Sequence, residues 1–423
     1  MKAQNIFKKG AFFILMLTLF VGYHSNSQEN LQLNTEFKGI VRNISDNKPL
    51  AYVDIHVKGT SIGTITNAEG EFLLKVPQTH IKKTIVISIL GFKKKEIKLL
   101  ELNKKVNKID LEVSVIELSD INIYTPKDVI SIVRATLNNK GKHNFDDQAT
   151  MTAFYRETIK KRRKNASLSE AVVKIHNQPR RSLKVDAIEL VKSRKNTNYS
   201  RLDTLALKLQ GGPFSNLHTD IVKYPEYIFS DADLEYYDFS FAESTQMNKN
   251  LVYVINFIQK KNVVTPLYFG KLYIDAETLA LTSATFSLNV TNKELTSKMY
   301  VRKKPRKVVV HPLEATYKVN YRTQNGKWLY AYSNILLTFK VNWKGKLFNN
   351  VYTLNSEMAI TDWKINTSKI AKVKSNLIRP TTVLIDETSG FSDPKFWGEY
   401  NIIEPEKSIE TAIKKIQKQL KKT

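Results

Sequence analysis

The chain contains no cysteine. Disulfides, thiolate metal sites and a lipid-modified N-terminal cysteine are therefore excluded. Histidine is scarce, with seven in 423 residues. None stands in an H-x-x-E or H-E-x-x-H arrangement that would place two zinc ligands on one face of an element. His24 lies near the N-terminus, while His56, His80, His143, His176, His218 and His311 are far apart, so a zinc site is not expected. There is no G-x-S-x-G elbow for a serine nucleophile. Gly211-Gly212-Pro213 lacks the Lys-Ser/Thr that completes a phosphate-cradling loop, so a tight turn is expected there. Acidic residues are also short, at 40 against 66 Lys plus Arg, for a net charge of +26. That balance attracts anions such as lipid head groups or polysaccharides. No apolar run after Val21 approaches the length of a membrane-spanning helix.

The N-terminus carries an export signal. Lys2, Lys8 and Lys9 precede the apolar run Ala11 to Val21, and Ser25-Asn26-Ser27 follows with small residues. That run is too short to cross a bilayer of about 30 Å as a helix, so it reads as a secretory signal peptide over residues 1–27, cleaved after Ser27. Export, together with basic residues spread along the chain rather than gathered around aromatic platforms, argues against a nucleic-acid partner. The mature chain is expected to be soluble or peripheral, without a transmembrane helix.

Short alternating strands follow. Val53, Ile55 and Val57 alternate with Asp54, His56 and Lys58, the period of a strand with one buried face. Phe72, Leu74 and Val76 repeat the pattern after Asn67-Ala68-Glu69-Gly70, a turn in which Gly70 supplies positive φ. Ile85, Ile87 and Ile89 repeat it again, as do Ile109, Leu111 and Val113, with Pro49 and Pro77 at strand margins. Close-spaced strands with turns between them indicate a β-sandwich. The order Phe37-Lys38-Gly39-Ile40-Val41, Val53 to Thr60, Gly63 to Phe72, then Ile85 to Leu90 with Gly91-Phe92 resembles the carboxypeptidase-regulatory-like module. That resemblance implies a transthyretin- or immunoglobulin-like sandwich that serves as an adapter in cell-envelope proteins of the Bacteroidetes type. It implies no zinc peptidase activity.

Glu117 to Tyr124 resembles the connecting strand that follows such a module, and Thr125-Pro126 reads as the start of a helix. Val129, Ile130, Val133 and Leu137 share one face of that helix, and Gly141 closes it. Strand signals dominate from Met151. Leu251 to Ile258 is one strand; Leu267 to Ile274 and Leu279 to Leu288 flank the turn Asp275 to Thr278. Ala315 to Arg322 and Trp328 to Phe339 flank an Asn325-Gly326 hairpin signal, and Val351 to Ile360 adds another strand. Successive long hairpins predict a larger, curved antiparallel β domain with a few helices, so the chain as a whole is mainly β. Gly270 to Thr278 is similar to strand–turn repeats of periplasmic lipoprotein-carrier half-barrels. The segments Ala153 to Glu157, Leu209 to Pro213, Tyr268 to Asp275 and Phe396 to Pro405 resemble Bacteroidetes proteins of unassigned function with the same two-part layout. In the tail, Ser408 is placed to cap a helix whose stripe is Ile409, Ala412, Ile413, Ile416 and Leu420, with Lys414, Lys415, Lys418, Lys421 and Lys422 around and beyond it.

The expected organisation is a signal peptide (1–27), the sandwich (35–115), a connecting strand and helix (116–145), the β domain (146–400) and an amphipathic C-terminal helix (401–423). Asp231, Asp233 and Glu235 lack the glycine and spacing of a calcium loop and read as exposed carboxylates. His218-Thr219-Asp220 is a possible orienting pair with no nucleophile beside it. Tyr236, Tyr237, Phe239 and Phe241 read as core and cross-strand pairs rather than a ligand groove. No catalytic, cofactor-binding or metal-ligating residues are assigned. These features favour a non-enzymatic, exported protein, periplasmic or outer-membrane-associated, whose docking module and β domain bind an envelope protein or an anionic envelope component. The alternatives are a glycan or peptide hydrolase with loop-assembled carboxylates, and a half-barrel that handles lipid or lipoprotein in a concave face. In the last case Ile409, Ile413, Ile416 and Leu420 are the candidates for filling that face instead.

Overall fold

The structure, a computed structural model, describes residues 34–411 and residue 413, except 104, 115–128, 139–142, 180–181, 183, 198–209, 229, 248–249, 302–303, 346–348, 367–375 and 388–395. The signal peptide, Glu117 to Tyr124, Thr125-Pro126, Gly141, Leu209, and Ala412, Ile416, Leu420 and the tail lysines from Lys414 onward lie outside the described residues.

The first domain is built from β1 (Asn34–Asn43), β2 (Asp54–Val57), β3 (Gly63–Ile65), β4 (Glu71–Pro77), β5 (Thr84–Ser88), β6 (Lys95–Lys98) and β7 (Val106–Leu111). They form two sheets, ordered β4-β1-β7 and β3-β2-β5-β6. Val53, Ile55, Val57, Phe72, Leu74, Val76, Ile85, Ile87, Ile109 and Leu111 all enter the shared core, as the alternation requires. Gly70 has φ of 74°, and the Asn67 side chain accepts from the Glu69 and Glu71 backbone N–H groups to set the turn. Two positions depart from the pattern. Ile89 follows the end of β5 and is only partly buried, and Val113 is exposed beyond β7, held by an isolated bridge to Phe92.

The second domain is a 12-stranded antiparallel sheet. Its strands are β8 (Ala149–Lys161), β9 (Lys164–Asn177), β10 (Ala187–Thr197), β11 (Tyr237–Phe241), β12 (Thr245–Met247), β13 (Asn250–Gln259), β14 (Tyr268–Asp275), β15 (Leu281–Leu288), β16 (Val308–Gln324), β17 (Lys327–Trp343), β18 (Asn350–Ile365) and β19 (Leu377–Ile378). Their order is β11-β13-β14-β15-β16-β17-β18-β8-β9-β10-β19, with β12 also on β13. The expected hairpins are present. Asn325 and Gly326, at φ of 49° and 75°, make the two-residue turn between β16 and β17, because that turn needs positive φ at both positions. β18 then pairs with β8, so the first and last long strands of the domain meet at its centre.

One face of this sheet is covered by its own chain. Ile132, Val133 and Leu137 of the helix Val129–Asn138 pack on it, as do Phe214, Leu217, Ile221, Val222, Ile228 and Leu234. The helix buries Ile132 and Thr136 with Val133 and Leu137, while Val129 and Ile130 are only partly buried, so its stripe is turned from the expected one. The described part of the tail does not fill this face. Helical residues begin at Lys407, so Ser408 lies inside the first turn rather than before it. Ile409 and Ile413 pack on Leu168, which alternates with the inward residues of β9 and so lies on the opposite face.

That opposite face carries the domain junction. Val172, Phe154, Ala359 and Tyr332 form one row across four strands, and Ile65 and Leu73 of the sandwich pack on it with Trp397, Ile402 and Ile403 of the tail. Beside this row runs a charged one: Arg194, Glu170, Arg156 and Glu357 across β10, β9, β8 and β18. Arg156 Nε donates to Glu170 at 2.8 Å, Nη1 to Glu357 at 3.1 Å and Nη2 to the Ile403 carbonyl at 2.7 Å. Arg194 Nε donates to the other Glu170 oxygen at 2.7 Å, and its guanidinium lies 4.8 Å from the Trp397 ring centroid. The tail also closes an edge of the sandwich. The Asn401 amide accepts from the Lys75 backbone N–H at 2.6 Å and donates to the Lys75 carbonyl at 3.0 Å, as a neighbouring strand would. Thr64 and Asn67 donate to the Ile402 and Glu404 carbonyls. Division at residue 400 therefore cuts a single inserted segment.

Burial would raise the Glu170 carboxyl, but two arginines hold it below its ordinary range. Removing one partner of such a cluster strands buried charge. Arg156→Met should lower the unfolding free energy by about 3–5 kcal/mol in denaturant titration; a loss under about 1 kcal/mol, typical of an exposed pair, would contradict this account.

Candidate functional site

A cleft of about 340 Å³ opens where the sandwich meets the large sheet. Its walls are the outward face of β2, β5 and β6, the Met247 side of β12, and the β16–β17 turn from Arg322 to Asn325. The alternation that sends Val53, Ile55 and Val57 to the sandwich core sends Asp54 and His56 outward. Asp54 Oδ2 lies 2.6 Å from His56 Nδ1, and its Oδ1 lies 3.5 Å from Arg322 Nη1. Burial opposes ionisation of Asp54, but His56 and Arg322 overcome it and hold the carboxyl below its usual range. Arg322 Nη2 also donates to the Ser61 carbonyl, and Ser61 Oγ bonds Asp362. Gly63 makes room for this arginine, because a Cβ there would meet Nη1 at 2.8 Å. Lys58 and Lys94 both pair with Glu96 at the mouth. Arg322 Nε is buried without a hydrogen-bond partner among the described residues.

The cleft therefore holds an oriented histidine, a carboxylate and an arginine. Ser88 also lines it, directly across the ladder from Asp54. No hydrogen bond joins Ser88 to His56 among the described residues, so the nucleophile–base contact of a hydrolytic triad is not formed. The alternation of His56 with apolar residues was legible in the sequence; Arg322, brought from 266 positions away, was not.

The other singled-out residues are scattered. His176 contacts Glu189 at 3.1 Å, and His218 stacks on Tyr227 at 4.1 Å between ring centroids. Asp220 does not pair with His218; its carboxylate takes the Tyr321 hydroxyl at 2.8 Å. Asp233 bonds the backbone and hydroxyl of Ser230, Glu235 is exposed, and the Asp231 side chain lies outside the described residues. Tyr237, Phe239 and Phe257 pack together, as do Phe241 and Tyr253, which is the cross-strand arrangement expected of them, but Tyr236 departs from it: alternation turns it away from buried Tyr237, and it is 41% exposed. Gly211 and Gly212 are a tight turn at φ of 98° and 50°, with Pro213 opening the helix Pro213–Leu217. That helix drives Asn216 into the sheet, where it meets Ser333 and Ser356 at 2.9 Å each. Among the described residues no three His, Asp or Glu side chains gather as a metal-ligand set.

Beside Asn216, the covered face buries a second carboxyl that the sequence did not single out. Among the described residues Glu157 accepts one hydrogen bond, from Tyr155 Oη at 3.0 Å, and it faces Ser169 and Ser356 across its two ladders. Burial raises its pKa to about 7, with the Tyr155 bond working against the rise. A raised carboxyl favours the fold while protonated. Its contribution is thus full below pH 4.5 and is lost as pH rises through about 7. Relative to Glu157→Gln, the native chain should lose about 3 kcal/mol of stability between pH 4.5 and pH 8; parallel stability curves would show that Glu157 keeps an ordinary pKa.

A model of the CarboxypepD_reg-like domain family matches residues 37–123. The chain matches no curated protein. Two solved structures align at low similarity. One, described as lipid–protein interactions in lipovitellin, is 7% identical with a TM-score of 0.27 over 55% of this chain and 27% of that one. The other, a DUF1329 family protein from Desulfovibrio piger, is 8% identical with a TM-score of 0.23 over 56% of this chain and 92% of that one. The chain thus spans about a quarter of the lipovitellin chain's length, and neither likeness carries an argument about fold or function. The match and the two-sheet sandwich agree: the N-terminal domain is a carboxypeptidase-regulatory-like β domain, set on a large antiparallel sheet.

Proposed function

We propose that this is an exported, non-enzymatic cell-envelope protein in which the regulatory-like sandwich is a docking module held rigidly on the sheet domain. The observation that carries this reading is how the sandwich is mounted. Its β3 and β4 margin is consumed by the sheet and the tail, while Gly91 and Ser114 bond Gln246 of β12. The opposite margin, β6 and β7, pairs on one side only and exposes Leu100, Val106 and Val113 among lysines. A rigid mount with one free, partly apolar margin suits a module that presents a surface to a partner.

The sheet domain supports this reading better than the carrier reading, because the described face that would hold an acyl chain is packed with Phe214, Leu217, Ile221 and their neighbours. The hydrolase reading gains little from Asp233, whose carboxylate is engaged in capping Ser230.

Export and docking are tested separately. Fractionation should recover tagged protein outside the cytoplasm with Gln28 as its first residue; a cytoplasmic chain beginning at Met1 would overturn the export reading. A photo-crosslinking residue at Val106 should give a discrete envelope adduct that the same residue at exposed Val185 does not. Equal labelling from both sites would remove the docking margin.

A further inference from the structure

We propose that the β13–β14 connection is a docking site for the surface of an anionic bilayer. Three apolar side chains stand out into solvent there: Val264 at 75% exposure, Ile258 at 58% and Phe269 at 43%. Ile258 and Phe269 are cross-strand partners on the same face, and Val264 sits in the loop above them. Together they line a concavity of about 470 Å³ with Lys260, Lys261 and Pro266. Exposed Tyr236 adjoins it, its carbonyl accepting from the Lys260 backbone N–H at 2.9 Å.

The apolar group is held out rather than left loose. Gln259 Nε2 donates to the Val263 and Thr265 carbonyls at 2.6 and 3.0 Å, and its Oε1 accepts from the Leu267 N–H at 2.8 Å. One buried-side amide thus organises the whole connection, so little loop entropy is lost when the surface docks. Neither Lys260 nor Lys261 makes an ion pair among the described residues. Among the acids, Asp238 lies opposite Ile258, exposed Glu235 precedes Tyr236, and Glu294, two residues after the lining Asn292, pairs with Lys298.

An apolar tip with an aromatic and two lysines on long stems, without an ion pair among the described residues, matches the chemistry of a bilayer interface: acyl region for Val264, Ile258 and Phe269, interface for Tyr236, phosphate for the lysines. Here lipid meets the outside of the sheet domain, not its packed face. This deepens the envelope reading and rests on it only for which membrane is met, since vesicle binding is measured whether or not the chain is exported.

The test is co-sedimentation of the full mature chain with vesicles of phosphatidylcholine alone or with phosphatidylglycerol, at low and high salt. We expect binding to the anionic vesicles that weakens with salt. Val264→Asn should reduce partitioning roughly tenfold without changing charge. Lys260→Gln with Lys261→Gln should reduce it about fivefold per lysine, whereas Lys160→Gln with Lys164→Gln at the β8–β9 hairpin should change it less. Circular dichroism melts matched to the parent keep misfolding out of the comparison. No sedimentation with phosphatidylglycerol at low salt overturns the proposal. So does binding that Val264→Asn leaves intact, or that falls equally for both lysine pairs, because such binding would be diffuse charge attraction.

Discussion

Everything in this molecule is arranged around the buried guanidinium of Arg156. It sits mid-strand on β8, where β9 and β18 pair on either side, and its three directions are used by three parts of the chain. Glu170 and Glu357 come from flanking strands, and the Ile403 carbonyl comes from the tail. A buried charge is tolerable only when paired and hydrogen-bonded, so the arginine fixes the register of its neighbours and the position of the tail together. Trp397 then covers Arg194 and meets Phe154 edge-on at 5.3 Å between centroids, and the sandwich closes over the result through Ile65 and Leu73.

This mount decides what the rest of the surface is for. The sandwich is fixed by the tail, by Arg322 against Asp54 and by Gly91 against Gln246, so the cleft at Asp54 and His56 is a seam between two fixed bodies. Its charges are mostly matched within it, with Glu96 between Lys58 and Lys94. Exposed apolar side chains near lysines lie elsewhere, among them Leu100 and Val106 at the sandwich margin and Ile258 and Val264 at the β13–β14 connection. Among the described residues no helix is long and apolar enough to cross a membrane.

Local patterns were legible. The period-2 runs Val53–Val57 and Phe72–Val76 fixed their own faces, and Asn325-Gly326 fixed its hairpin, because alternation and turn chemistry are properties of neighbours in sequence. What the sequence hid was long-range. Arg156 and Glu170 stand inside β-rich runs, where a charge ordinarily marks the solvent face. Here both faces of β8 and β9 are covered, so that rule inverts, and a charge centred in a strand with apolar residues on both faces was the available signal. The covering of the sheet, for which the tail helix was one alternative, was less legible. Ile409 and Ile413 have the helical stripe, yet the residues that fill the face, Phe214 to Leu234, lie in short helical turns with no long periodicity to read.

Native-state hydrogen exchange across a denaturant series tests the central claim most directly, which is that sandwich, sheet and tail form one cooperative unit joined at Arg156. Core amides of the sandwich, such as Phe37 and Val41, and of the sheet, such as Tyr155 and Val173, are predicted to merge into a single unfolding isotherm. A separate sandwich isotherm at lower denaturant, with the sheet still fully protected, would show that the junction merely places the two domains side by side.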